Sequence, residues 1–441
     1  MDNYGYSNSN NVINQGAENN LNPNGSKQEQ NQTKGMFLVG LLTGIIISSL
    51  IASAIFVGVK TADIIRGGKA RETSSEKVSA QSVVNDDSIT KLESIEKVID
   101  QYYYREDDIS ADAMIEGMYS GMVASLGDPY SVYYTEEEWE EMMRDTEGIY
   151  YGIGAYISLD GRTGCGKISG VINNTPAQEA GLRENDIIYL VDGEPVQGLE
   201  LSEIVSLIKG EEGTTVHLTI YREGKEDYLE VDVVRRQIES PTVDYEMLDN
   251  GIAYLQITEF DEVTYDQFAE ALAVIKGQDA KGLILDLRSN PGGSLSVVVD
   301  IARQILPEGL IVYTEDRSGK RTEYSCDGDN ELQIPLVVLV NGNSASASEI
   351  LAGAIKDYGK GTLIGTTTFG KGIVQRILPL TDGTALKLTV SAYYTPKGNN
   401  IHSIGIDPDI ECVFDADAYY DDGVDNQLER AKEEVAKMMG Q

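Results

Sequence analysis

After about Gln237 the sequence alternates short apolar runs with helical periodicities, and this alternation limits the fold more than any other feature. IAYLQI, GLILDL, LVVLV, GTLIG and ALKLTV have the length and apolar content of strands, whereas FAEALAVIKG, LSVVVDIARQIL and ASEILAGAIKDYG repeat apolar residues at helical spacing. Strands and helices in alternation pack as an α/β core. Upstream, from about Tyr150 to Val234, GKISGVI, DIIYLVDG, TVHLTIYR and YLEVDVV read instead as strands around a single helix, LSEIVSLIKG. His217 lies in one of these strands and is expected there as a packed or edge residue, not as a ligand. Ile89, Leu92, Ile95 and Ile99 open a helical region that continues through Met114, Met118 and Met122 at spacing four. Such a series predicts methionines filling the inner face of a helix.

The segments that remain differ sharply in composition. Residues 1–35 are mostly Asn, Gln, Ser and Gly, too polar to offset the entropy of ordering, and read as disordered. Residues 36–59 then form 24 uncharged positions between Lys34 and Lys60. At ~1.5 Å per residue this run spans a hydrocarbon core ~30 Å thick, so it is expected to be a transmembrane helix. Ala52-Ser53-Ala54 resembles a signal-peptidase site, but the apolar run continues beyond it, which favours an uncleaved anchor. Basic residues after the span outnumber those before it, a weak bias toward keeping the following chain inside. The resulting division is a disordered segment at 1–35, the anchor at 36–59, a linker at 60–88, a helical region at 89–148, the β-rich domain at 149–236, the α/β core at 237–412, and an acidic, then helical tail at 413–441. The helices at 89–145 and the tail at 426–439 fit either a homodimer contact or internal packing.

Charge and composition exclude several functions. With 35 Lys+Arg against 72 Asp+Glu the formal net charge is −37, which repels a nucleic-acid backbone. Three scattered cysteines provide neither a disulfide framework nor a metal site. Two histidines leave little for a zinc site or a histidine-based triad, so neither metal nor cofactor is expected.

Three motifs in the α/β core carry features that packing does not require. In LDLRSNPGGSL (285–295) a strand runs into Asn290-Pro291-Gly292-Gly293, where exposed amides can approach a ligand. In VNGNSASASEI (340–350) a strand ends at three serines before a helix. Ser346 with Glu349 fits a capping box, yet one serine suffices as a cap, and small neighbours leave room above the strand end. In GTTTFGKGIVQ (365–375) the pattern from Gly365 to Lys371 matches most of a phosphate-binding loop. Gly372 stands where the hydroxyl belongs, and extended chain follows instead of a helix, so that assignment fails. Lys371 lies beside Phe369, Ile373 and Val374. A desolvated ammonium there loses pKa and becomes a base near neutral pH. A serine nucleophile paired with a lysine base needs neither histidine nor metal.

LDLRSNPGG, VNGNSASASEILAGAIKDYGKGTLIG, FGKGIVQ, SAYYTPKG and GIDPDI, in this order, resemble the carboxyl-terminal processing peptidases, or tail-specific proteases, over residues 90–412. The resemblance implies a serine protease core similar to the crotonase-type α/β fold, with an inserted PDZ domain at 149–236. By position, Ser346 matches the nucleophile, Lys371 the general base and Gln375 the glutamine that orients the lysine. Backbone N–H groups of Gly292 and Ala347 match the oxyanion hole. Gly152, Ile153, Gly154 and Ala155 match the loop that receives a substrate's C-terminal carboxylate, and Arg183 is a candidate sensor of it. The implied function is a membrane-anchored endopeptidase, its catalytic domain outside the cytoplasm, that processes protein substrates with exposed C-terminal tails. Two competing functions are a non-catalytic PDZ scaffold and a crotonase-type acyl-thioester enzyme.

Overall fold

The computed structural model describes residues 82–105 and 109–440. The expected disordered segment, the apolar span at 36–59 and most of the linker lie outside these residues. No helix among the described residues is long and apolar enough to cross a membrane.

The α/β core is built on a six-stranded sheet. Val243–Met247, Ile252–Ile257, Gly282–Asp286, Leu336–Val340, Thr362–Gly365 and Ile410–Glu411 lie side by side in that order. The first pair is antiparallel and every later pair is parallel. Parallel neighbours require crossovers, two of which are supplied by the helices Thr264–Gly277 and Ala347–Tyr358. Gly282–Asp286 and Leu336–Val340 are buried throughout, as parallel strands covered on both faces must be. One face packs under Phe268, Leu272, Ile275, Val298 and Leu351. The other is closed by the helix Asn426–Met438, whose Ala431 and Val435 meet Ile284, Val337 and Ile364. Burying Val435 alone contributes about 1.5–3 kcal/mol. The helical tail is therefore a packing element of the core.

A second, antiparallel sheet places the strand Val132–Tyr134 beside Ala385–Tyr394, followed by Gly309–Asp316 and Arg321–Cys326. Ile373–Pro379, which directly follows the FGKG loop, pairs with Ala385–Tyr394 as well. The helical N-terminal region thereby contributes a strand to the sheet that carries the lysine loop.

The β-rich domain has its own core, including Ile168, Ile188, Ile204, Leu218 and Ile220. The chain enters and leaves it on the paired strands Ile149–Gly152 and Arg236–Glu239. His217 sits on an exposed face, its ring nitrogens 2.6 Å from Asp232 and 2.8 Å from Glu230. These carboxylates, Asp232 foremost, raise its pKa.

The methionine series departs from expectation. The helix Ala111–Ala124 forms, but Met118 and Met122 are 44% and 51% exposed. The preceding helix Asp86–Tyr102 buries none of its residues and exposes Ile89, Leu92, Ile95 and Val98. Periodicity establishes that a helix has an apolar face; it does not establish that another part of the chain covers it.

Candidate active site

The three motifs converge at the carboxyl ends of the parallel strands, where open α/β sheets bind ligands. Leu336–Val340 leads into the turn 341–346 and then into the helix Ala347–Tyr358. Of the three serines in SASAS, two are structural. Ser344 is buried and donates to the Leu287 carbonyl at 2.7 Å, and buried Ser348 donates to the Asn290 carbonyl at 3.0 Å. Ser346 alone is partly accessible. Its backbone has φ 55° and ψ −112°, a positive φ outside the left-handed helical region, uncommon for a residue with a side chain and typical of strained functional turns. Its carbonyl accepts a hydrogen bond from the Tyr393 hydroxyl at 3.1 Å.

The NPGG turn approaches this serine closely. At φ 111°, a Cβ on Gly292 would stand 2.7 Å from Ser346 Cβ, so only glycine fits. Asn290 shapes the turn, donating to the Ile257 carbonyl at 2.9 Å and accepting the Gly292 N–H at 2.8 Å. Of the two expected oxyanion donors, the Gly292 N–H is thus engaged by Asn290. The Ala347 N–H has no acceptor among the described residues. Beneath the turn, Arg288 bridges Asp286 and Asp425 at 2.6 and 2.8 Å, tying the motif to the C-terminal helix. On its other side, Asp261 is buried next to Phe260, whose N–H donates to the Gly292 carbonyl. Burial, followed by the negative charges of Glu259 and Asp145, pushes the Asp261 carboxyl up to about 7.

Glu349 joins the second and third motifs. Its fully buried carboxylate accepts the Ser346 N–H at 2.9 Å and the Lys371 N–H at 2.8 Å on one oxygen. The other oxygen accepts the Gly370 N–H at 2.7 Å and the Thr368 hydroxyl at 2.6 Å. In sequence the residue is visible only as the acidic partner of a capping box. Its second role depends on a loop more than twenty residues away and has no local signature.

Lys371 follows the clamp and precedes a strand, not the helix a phosphate loop requires. Its side chain is partly buried, and its Nζ stands 4.8 Å from the centroid of the Tyr130 ring. Desolvation, then the positive charge of Lys387, lowers its pKa, while Glu349 and Asp128 oppose the shift. Gln375 faces Thr389, its amide donating to Thr389 Oγ1 at 3.2 Å, and makes no hydrogen bond to the lysine.

In the β-rich domain, Gly152, Ile153, Gly154 and Ala155 line a groove that Ile208 and Lys209 complete. Gly154 has φ 80° and presses against Thr175, leaving no room for a Cβ. The N–H groups of Ile153 and Gly154 find no acceptor among the described residues. Adjacent open amides of this kind suit a carboxylate. Arg183 does not line the groove. It is exposed in the turn before Ile187–Val191, where its N–H donates to Asp186. The cation at the groove is Lys209, placed over the Tyr150 ring.

Comparison with known proteins agrees with this organisation. Residues 251–412 match peptidase family S41, residues 167–222 match a PDZ domain, and residues 49–138 match the N-terminal domain of the activating protease CtpB. The chain is 38% identical over 292 residues to a carboxyl-terminal-processing protease of Synechocystis sp., covering 65% of this chain and 68% of the relative. It is 33% identical over 407 residues to the carboxy-terminal processing protease CtpA of Bacillus subtilis, covering 90% and 84%. With CtpB of the same organism it shares 34% over 331 residues, covering 74% and 68%. With a protease core, an inserted PDZ domain and these relatives, the chain belongs to peptidase family S41, the carboxyl-terminal processing serine proteases.

Proposed function

We propose that Ser346 and Lys371 form a catalytic dyad that cleaves protein substrates selected by their free C-terminal tails. The observation that best supports it is the Glu349 clamp, which holds the serine turn and the lysine loop to one carboxylate beside a desolvated ammonium. Neutral Lys371 takes the proton from Ser346 Oγ, and the oxygen attacks the scissile carbonyl. The Ala347 N–H faces the developing oxyanion, and the Gly292 N–H joins it by giving up Asn290 Oδ1. The lysine returns its proton to the leaving amine. Water then hydrolyses the acyl-enzyme with the lysine again as base.

The groove at 152–155 captures the tail, its open amides meeting the carboxylate and Lys209 adding positive charge. A peptide whose C-terminus is amidated is therefore cleaved with kcat/KM lower by about 10–100-fold, the equivalent of losing one charge-assisted hydrogen bond of about 1.5–3 kcal/mol. Equal kcat/KM for the acid and the amide in steady-state assays would remove tail recognition from the function. We propose further that residues 36–59 anchor the chain in the membrane with its catalytic domain outside the cytoplasm. Alkaline extraction of membranes carrying the full chain then leaves it in the pellet, and external protease digests it in intact cells. Release into the supernatant, or protection in intact cells, contradicts the respective part.

A further inference from the structure

The turn at Asp128–Ser131 belongs to the N-terminal region, more than two hundred residues from the FGKG loop, yet it places the Tyr130 ring against Lys371 Nζ, 4.8 Å from the ring centroid. The turn is built to hold that ring in place. The Asp128 carboxylate accepts the Tyr130 N–H at 3.1 Å and the Ser131 hydroxyl at 2.6 Å. Ser131 Oγ accepts the Thr389 N–H at 3.1 Å, and Thr389 is the residue that receives the Gln375 amide. Immediately afterward, Val132–Tyr134 pairs with Ala385–Lys387 of the catalytic sheet. Lys371 Nζ itself makes no hydrogen bond or ion pair among the described residues, so its surroundings, not a partner, define its state.

We propose that Tyr130 is a positioning residue for the general base: its ring forms the wall that fixes Lys371 Nζ and keeps water from it, so that the N-terminal region completes the active site. This rests on the assignment of Lys371 as base. The charged and titratable groups around the lysine are Lys387 on the strand Ala385–Tyr394, Glu349 on the helix Ala347–Tyr358, and Asp128 with Tyr130 on the turn; His402 acts on Asp128. Lys387 and desolvation favour the neutral amine, whereas Glu349 and Asp128 favour the ammonium. The π-face of the ring also attracts the ammonium; the proposal is that the dehydration the ring imposes outweighs this attraction, and the direction of the acid limb decides between the two.

The test is the pH dependence of kcat/KM on a tail-bearing peptide. Tyr130→Ala admits water, raises the lysine pKa and moves the acid limb up by about one pH unit, so that activity below the limb falls about tenfold. Tyr130→Phe keeps the ring and the wild-type profile. The NMR titration of 13C-methylated Lys371 in the Ser346→Ala background moves in the same direction, without reference to activity. Should the alanine variant fail to fold, Tyr130→Gln, whose amide carries water, must show the same upward shift. An acid limb that stays in place or moves down overturns the proposal, as does a Phe variant that behaves like Ala. Lys371→Ala separates the two levels: full activity in it refutes the base assignment, whereas an inactive Lys371→Ala with an unmoved Tyr130→Ala profile refutes only the role of the ring.

Discussion

Ser346→Ala lowers kcat for a tail-bearing peptide by a factor on the order of 10^6, and Lys371→Ala lowers it by a comparable factor. The double variant is no slower than either single one, because a nucleophile and the base that deprotonates it act as a unit. What survives in all three is the contribution of binding and of the oxyanion donors. The serine variant is expected to fold normally. Its backbone contacts, the N–H to Glu349 and the carbonyl to the Tyr393 hydroxyl, do not involve the side chain that is removed. It therefore still binds tails, and equilibrium binding of a labelled tail peptide checks this directly. Single-turnover assays that find either single variant within tenfold of wild type, or a double variant slower than both by the product of their effects, exclude the dyad. The scaffold function sets the opposite expectation of tail binding with no turnover in the wild type.

Glu349→Gln damages the enzyme through geometry. Each carboxylate oxygen accepts two donors, Ser346 and Lys371 N–H on one, Gly370 N–H and Thr368 hydroxyl on the other. Whichever way the amide is placed, its nitrogen faces two donors and accepts neither. Leaving two buried donors unpaired costs about 1–3 kcal/mol each, which lowers Tm by several degrees or more. The two turns that part are those carrying nucleophile and base, and misplacement by about 1 Å costs about 10^2 in rate. We expect kcat to fall by about 10^2 to 10^3 with KM little changed. The sign of the pH effect follows from charge: Glu349 stabilises the Lys371 ammonium, so its neutralisation lets the lysine lose its proton at lower pH. The acid limb of kcat/KM consequently moves down, opposite to the shift expected for Tyr130→Ala. A glutamine variant with kcat within threefold of wild type, or with an acid limb at higher pH, would falsify the clamp.

Much of this site is legible in the sequence because its chemistry is concentrated in short segments. A strand, a turn of small residues and a helix start fix Ser346 at the end of Leu336–Val340, and extended chain after Lys371 rules out a phosphate loop. The same locality misleads elsewhere. Asn290 looks like a turn residue, and only the folded chain reveals that its side chain takes the Gly292 N–H. The Gln375 amide meets Thr389 across the strand pair, beside the β-bulge between Val374 and Gln375, a partner that no local stretch of sequence displays. Arg183 is the candidate sensor that the resemblance supplied, whereas Lys209, at the end of a helix, is the cation that lines the groove.

By itself the sequence determined what depends on neighbours along the chain: the alternating α/β core, the β-rich domain before it, a serine turn of small residues between strand and helix, and a lysine among apolar residues. Periodicity and turn chemistry act over a few residues, and those features extend no further. The tertiary structure decided which distant groups meet. It set Glu349 across two loops, Tyr130 over Lys371, Asp425 on Arg288, and the C-terminal helix against the sheet, while leaving Met118 and Met122 uncovered. The acid excess shows the same division. Its sum excluded nucleic acid at the outset, but only folding singled out one carboxylate among 72 acidic residues, Glu349, to hold the Ser346 turn and the Lys371 loop together. Burial and hydrogen bonding, set by packing between segments far apart in sequence, gave that residue a role its composition class does not have.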